Sequence, residues 1–414
     1  MPQTPVTNVG DGREYFEERV VEDVDNRRTR TILAVFIMLL ILLLVGVGWF
    51  VVRMNKPAKA PVTAELPEGV DWIRSIYAWG TTASTLLRGP VDVAVSPSGT
   101  IWTVTNKQVI AGFDPDGRVA GLITPVAGKG KGQVVSFEGL AVADNGDIYV
   151  TDFGRKVIMV FSSGGQYLRE FPTDDLPNEV YVRGDKVAIA TISGVEVRTT
   201  TGKLLNKWGK RGSGDIGIDG AHGIFIGTDG TVYVSDTSNA RIRAFTPAGR
   251  PLWTRSGVRK GTDKAAPTAE KIRGISQGLQ LPAGMAMDDS GRLLVVDPFE
   301  FQILALNAKN GQIVARYGEF GQSDGKFAYP TGIAYDRQRD TVMVADTANN
   351  RVQIIRLPST GGSAVRRFRA SFFDQPLWLC IFPLALLLIA LVMFLRRRAR
   401  SASNESTAKN ASQA

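Results

Sequence analysis

Thiol, imidazole and helical pattern are what this chain has least of. Cys380 is the only cysteine, so no disulfide can form within the chain and its folding rests on packing. His222 is the only histidine, which excludes a zinc site assembled from several imidazoles. There is no nucleophile motif, phosphate-cradling loop or paired metal-ligand spacing. Gly128-Lys129-Gly130-Lys131-Gly132 is glycine-rich, but it lacks the strand–loop–helix setting of a phosphate site and reads as a turn. A basic stripe is missing too. Lys and Arg exceed Asp and Glu by 49 to 40, yet the excess sits at the ends. Residues 1–30 carry 5 basic and 7 acidic side chains, and Arg53, Lys56 and Lys59 follow. Residues 366–414 carry 8 and 2, which leaves 33 against 31 between them. A near-neutral middle argues against a nucleic-acid surface.

What is present instead is repetition. An apolar run, a Gly turn, a second apolar run and a final Thr or Asp recur as SPSGTIWTVT (96–105), ADNGDIYVTD (143–152), VRGDKVAIAT (182–191), GTDGTVYVSD (227–236), DDSGRLLVVD (288–297) and DRQRDTVMVAD (336–346). Their last residues are 47, 39, 45, 61 and 49 positions apart. A period of about 45 in short strands predicts an all-β propeller of four-stranded blades.

Two uncharged runs flank the repeats. Residues 31–52 and 376–395 are 22 and 20 residues long, enough to cross ~30 Å of hydrocarbon as helices. Ala58-Lys59-Ala60 resembles a cleavage box, but Pro61 follows it and the apolar run is long, so an uncleaved anchor is expected. Arg27, Arg28, Arg30, Arg396, Arg397, Arg398 and Arg400 lie outside the two spans. Arg53, Lys56, Lys59, Arg366, Arg367 and Arg369 lie between them. This bias of seven to six places both termini in the cytoplasm and the repeats outside it, at a cell membrane. The expected organisation is a polar tail (1–30), a span (31–52), a linker (53–71), a propeller (72–358), a linker (359–375), a span (376–395) and a basic, then disordered, tail (396–414).

The repeats resemble NHL repeats. The fullest are GIFIGTDGTVYVSDTSNARIRAFTPAG (223–249) and GIAYDRQRDTVMVADTANNRVQII (332–355). The likeness implies a six-bladed β-propeller over roughly two-thirds of the chain, flanked here by two transmembrane helices. The first and third units are weaker, with Thr105 and Thr191 where the others have Asp. SIYAWG (75–80) looks like an outer strand with no inner partners ahead of it, and the last unit stops after three strands. Segment 73–80 should therefore complete the sixth blade and remove an open edge. Both tethers would then leave one face, the bottom, with the top face pointing away from the bilayer.

Three groups of residues stand out. Asp236, Asn239 and Arg241 repeat as Asp346, Asn349 and Arg351, while Asp152 and Asp297 hold equivalent places; all read as turn locks, the carboxylate accepting backbone N–H bonds. The starts of the inner strands align as Pro90-Val91-Asp92, Phe137-Glu138-Gly139, Pro177-Asn178-Glu179, Ala221-His222-Gly223, Pro282-Ala283-Gly284 and Pro330-Thr331-Gly332. Their middle residues should ring the upper channel mouth, where Glu138, Asn178, His222 and Thr331 form a candidate ligand site, or simply a solvated opening. No cofactor is required, although Ca or another divalent cation could sit there. Finally, the long step before Asp297 is an insertion, 254–280, that carries Arg255, Arg259, Lys260, Lys264, Lys271 and Arg273 as a contact loop above the top face.

The resemblance implies an interaction platform: a binding or scaffolding module whose top face engages a protein, peptide or envelope ligand. The alternative is a metal-dependent hydrolase. At two points the chain is similar to propeller lactonases of the gluconolactonase type, Glu138 in FEGLAV and Asn178 in LPNEVYV matching two of three metal-ligand positions, but the third falls on Ala283.

Overall fold

The structure is a computed structural model that describes residues 36–38, 40, 69–257, 279–361 and 392–393. The chain divides into two units, 1–65 and 66–414. Of the first, only residues 36–38 and 40 are described, and they are helical. Both tails and most of both expected spans and both linkers lie outside the described residues. Among the described residues no helix is long and apolar enough to cross a membrane.

Within the second unit, each repeat folds for the reason its pattern gives. The two middle strands of a blade are β-branched and apolar throughout, as in IYVTD and TVMVAD, because both their faces are covered by neighbouring blades. The outer strands alternate, as in Tyr167–Pro172, because one face meets water. The hairpin between the first two strands needs a positive φ. Glycine supplies it at Gly230 (83°), whereas the sixth repeat uses Asp340 (54°), a residue that tolerates this conformation.

Six four-stranded antiparallel sheets result. Their inner strands are Pro90–Val95, Phe137–Val142, Pro177–Arg183, Ala221–Ile226, Met285–Met287 and Pro330–Asp336. Five blades are continuous in sequence. In the sixth, Asp71–Ile76 pairs antiparallel with Arg351–Arg356, so the two ends of the ring share one sheet. Ile76, Leu87, Val93, Phe113, Met343 and Val352 pack together across the seam between the sixth blade and the first. Inner strands begin at the upper face and descend. Asp71 pairs with Arg356 at the lower edge, so both ends of the ring leave the lower face.

The carboxylates of Asp152, Asp236, Asp297 and Asp346 are fully buried at the upper ends of second strands. Each clips its own blade to the loop that enters it. Asp346 accepts N–H bonds from Ala328 (2.7 Å) and from the side chains of Asn349 (2.8 Å), Gln353 (2.9 Å) and Arg351 (2.8 Å). Arg351 also donates to the Ser323 and Lys326 carbonyls and to Tyr77 Oη, tying in the segment that closes the ring. Asp236 does the same with the Asp219 N–H, Asn239 and Arg241. Asp152 and Asp297 accept main-chain bonds from Val135 and Ser136 and from Gln280 and Leu281. The third blade is complete despite Thr191, because Glu196 on its third strand takes the acid's place. It accepts from the Asp174 N–H (2.8 Å) and from Arg198 Nε (2.8 Å).

Removing the carboxylate in Asp346→Ala leaves the Arg351 guanidinium, 1 % exposed, short of its main counter-charge. We expect a loss of about 3–5 kcal/mol in urea unfolding. Arg118→Ala, which breaks an exposed pair with Asp116, should cost under about 1 kcal/mol. Equal effects would show that the buried lock does not carry the fold.

Candidate functional site

The aligned starts of the inner strands have a third column: Asp92, Gly139, Glu179, Gly223, Gly284 and Gly332. Here the strands approach main chain to main chain. A Cβ on Gly332 would lie 2.6 Å from Asp92 Cα, one on Gly139 2.7 Å from Glu179 Cα, and one on Gly284 2.7 Å from Thr331 O. Glycine at these places is required by close approach. Only the first and third blades carry a side chain at this level, and both are acids.

Asp92 and Glu179 are 5 % and 9 % exposed. The Leu140 N–H donates to Asp92 Oδ2 (2.8 Å) and the Val180 N–H to Glu179 Oε1 (2.9 Å). The two carboxyls are hydrogen-bonded to each other, Glu179 donating to Asp92. No basic side chain among the described residues forms an ion pair with either. Desolvation pushes Asp92 up to about 7. Glu179 is pushed well above the usual carboxylate range by burial and then by the charge of Asp92. The pair therefore shares a proton and titrates as a unit.

Below this constriction lies a cavity of about 420 Å³. Asp92 and Glu179 form its polar end. Val93, Leu140, Val180, Ile224, Met285 and Ile333, one from each blade, follow along the channel. Tyr181, Phe225 and Tyr335 add aromatic wall, and Ser96, Asp144, Arg183, Asp336, Arg337 and Gln338 mark the mouth at the lower face. Much of the mouth's charge is already matched. Arg337 pairs with Asp289 (2.8 Å) and Asp336 with Arg339 (3.0 Å). Arg183 donates to Ile226 O (2.8 Å) and lies over the rings of Tyr181 and Phe225.

The residues expected at the upper mouth lie on the other side of the constriction, and none lines the cavity. Asn178 donates its amide to Ala221 O (2.8 Å) on the next blade. Thr331 Oγ1 bonds Val91 O and Thr347. Glu138 accepts from Ser136 Oγ (3.1 Å), and burial raises its pKa. The His222 ring is drawn downward in pKa by desolvation, but its residue is exposed to solvent, and that open surface limits the effect. Among the described residues no group of three or more His, Cys, Asp or Glu could hold a metal ion. Of the contact-loop residues, Arg255 sits on the exposed outer strand Pro251–Ser256. Arg259, Lys260, Lys264, Lys271 and Arg273 lie outside the described residues. Gly257 and Leu279, which bracket that stretch, are in contact, so it leaves and returns at one point of the upper face.

The third column was in view in the sequence. Its signal was an acid standing where four of six repeats have glycine.

The family model for the NHL repeat matches residues 327–355, the core of the sixth blade. The fold is a six-bladed propeller whose sixth blade carries the NHL-repeat match. A search of the curated proteins finds no match. Among solved structures, the propeller is similar to a streptogramin B lyase (16% identity, TM-score 0.49, covering 70% of this chain and 98% of that one). It is also similar to the virginiamycin B lyase from Staphylococcus aureus (15%, 0.44, 69% and 88%) and to the Kuenenia stuttgartiensis hydrazine synthase (18%, 0.46, 68% and 99%). At these identities nothing about activity follows.

The buried pair gives the propeller a pH signature. Folded Asp92 holds its proton more tightly than the unfolded chain does, so stability is greatest below the ordinary value of 3.8 and falls as pH rises through about 7. Asp92→Asn keeps an acceptor for the Leu140 N–H and removes the charge. We expect it to flatten this decline and raise Tm above wild type near pH 8, as followed by circular dichroism. Parallel Tm-against-pH curves would contradict the assignment.

Proposed function

We propose that this protein is a membrane-held binding module whose ligand enters the central cavity from the lower face of the propeller. The observation that carries this reading is the cavity itself: apolar and aromatic walls converge on one pair of buried polar groups, the usual construction of a small-molecule site. The anchoring part rests on the two uncharged runs, 31–52 and 376–395, and their flanking arginines. With Asp71 and Arg356 both at the lower edge, the tethers would leave on the side where the cavity opens. A ligand would then enter from the space between propeller and bilayer. The upper face, turned away, is left for a protein or envelope partner. A metal-dependent hydrolase at the upper mouth has less support, because Ala283 offers no ligand atom in its side chain.

Two measurements test this. A ligand at about 100 times its Kd stabilises the folded state by about 2.7 kcal/mol, so a thermal-shift screen of the full chain in detergent should raise Tm by several degrees for cavity ligands. Ala94→Leu and Val142→Phe, which add bulk to half-buried cavity wall, should abolish those shifts; hits unaffected by both would place binding elsewhere. For topology, a Lys203→Cys substitution on an exposed turn, in a Cys380→Ser background, should react with an impermeant maleimide on intact cells. Reaction only after lysis would put the propeller in the cytoplasm.

A further inference from the structure

We propose that the cavity takes an organic monocation with an apolar body, an alkyl- or arylammonium, its charged head seated on Asp92 and Glu179. This rests on the cavity being the ligand site and adds the chemistry of the ligand.

The argument is one of unmatched groups. Two carboxyls, each at least nine-tenths buried, face a cavity and have no counter-ion among the described residues. Elsewhere in this fold a buried acid is given an arginine or several N–H donors: Asp346 has Arg351, Glu196 has Arg198, and Asp288 has Arg292 at 2.7 Å. Asp92 and Glu179 have main-chain N–H donors from Val93, Leu140 and Val180 and a shared proton, but no arginine. A buried charge left this way is costly, and a cation from outside supplies what the protein withholds. The surrounding shell selects the kind of cation. A hard metal ion needs six or more oxygen ligands, whereas the neighbouring lining is Val93, Leu140, Val180, Ile224, Met285 and Ile333. Those side chains suit hydrocarbon. An ammonium supplies three donors to the pair, and Tyr181 and Tyr335 add aromatic surface to the wall for its organic body. At the mouth, Arg183, Asp336 and Arg337 are already engaged by protein partners, and Asp144 adds a further acid on the way in. Binding is an exchange: one carboxyl O–H bond breaks, its proton passes to water, the ammonium takes its seat, and no other covalent bond is made or broken.

The test uses the full chain in detergent and two probes of one shape, benzylammonium and benzyl alcohol, by calorimetric titration. Benzylammonium should bind at least about tenfold more tightly, and loss of one proton should raise its affinity about tenfold between about pH 6 and about pH 8. Other titratable or charged groups facing the cavity are Asp144, Arg183, Asp336, Arg337, Tyr181 and Tyr335, with Glu138 and His222 across the constriction. A pH slope that vanishes in Asp92→Asn belongs to the carboxyl pair. The double variant Asp92→Asn/Glu179→Gln should lose the preference for the cation while unfolding cooperatively, and the single Asp92→Asn variant serves as a second test should the double variant not fold. If benzyl alcohol binds as tightly as benzylammonium, the cation is wrong and the cavity stands as a neutral site. If the preference survives the double variant, the pair is not the seat. If neither probe binds, the inference fails, and whether the screen's hits respond to Ala94→Leu decides separately for the cavity.

Discussion

Six strands can meet around one axis only where side chains give way. That constraint acts at the level of Gly139, Gly223, Gly284 and Gly332, where a single added carbon would strike the neighbouring main chain. The ring's diameter, the narrowing of its channel and the division into an upper funnel and a lower cavity all follow from it. A propeller could place glycine at all six positions. This one keeps two acids, so the layer that sets the geometry of the fold also carries its most unusual chemistry.

Closure depends on a second device. A four-stranded blade leaves one edge unpaired, and a ring whose last repeat ends after three strands leaves an internal strand open. Borrowing Asp71–Ile76 from before the first repeat solves this and joins the two ends of the domain in one sheet. Arg351 then ties the borrowed segment to the Asp346 lock through Tyr77. The upper face is thus held by polar clips, whereas the lower face carries the chain ends and the cavity mouth. The polar clips and the cavity mouth are segregated to opposite faces.

How much of this was legible in sequence follows from which facts are periodic. Strand, turn and strand recur, so the blade count and the closing segment could be read from VYVSD, VMVAD and SIYAWG before any coordinates. The pairing register is not periodic in the same sense. Glu196 replaces the missing Asp of the third blade from five residues further along, and only cross-strand pairing, Ile189 opposite Glu196, brings it to the same layer. The two buried acids stand one residue beyond the mouth residues singled out in the sequence, for a related reason. The alignment put Val91 and Asp92, or Asn178 and Glu179, side by side, but the pleat decides which of two neighbours faces the axis and which faces the next blade. Asn178 turned out to bond Ala221 O, and its neighbour Glu179 to line the channel.

Could the two acids be structural after all, one more lock among several? The locks show what such a role looks like here. Each structural carboxylate is saturated by donors from the loop it clips, and Asp236 and Asp346 add an arginine. Asp92 and Glu179 join no loop to a blade; burial raises both, the charge of Asp92 raises Glu179 further, and the hydrogen bond from Glu179 only partly offsets the desolvation of Asp92. Glycine would fit their positions, as it does in the other four blades, and would avoid the desolvation of two carboxyls. A fold that tolerates an avoidable unfavourable pair at its narrowest point, facing an open cavity, has the signature of a site kept for binding at the expense of stability.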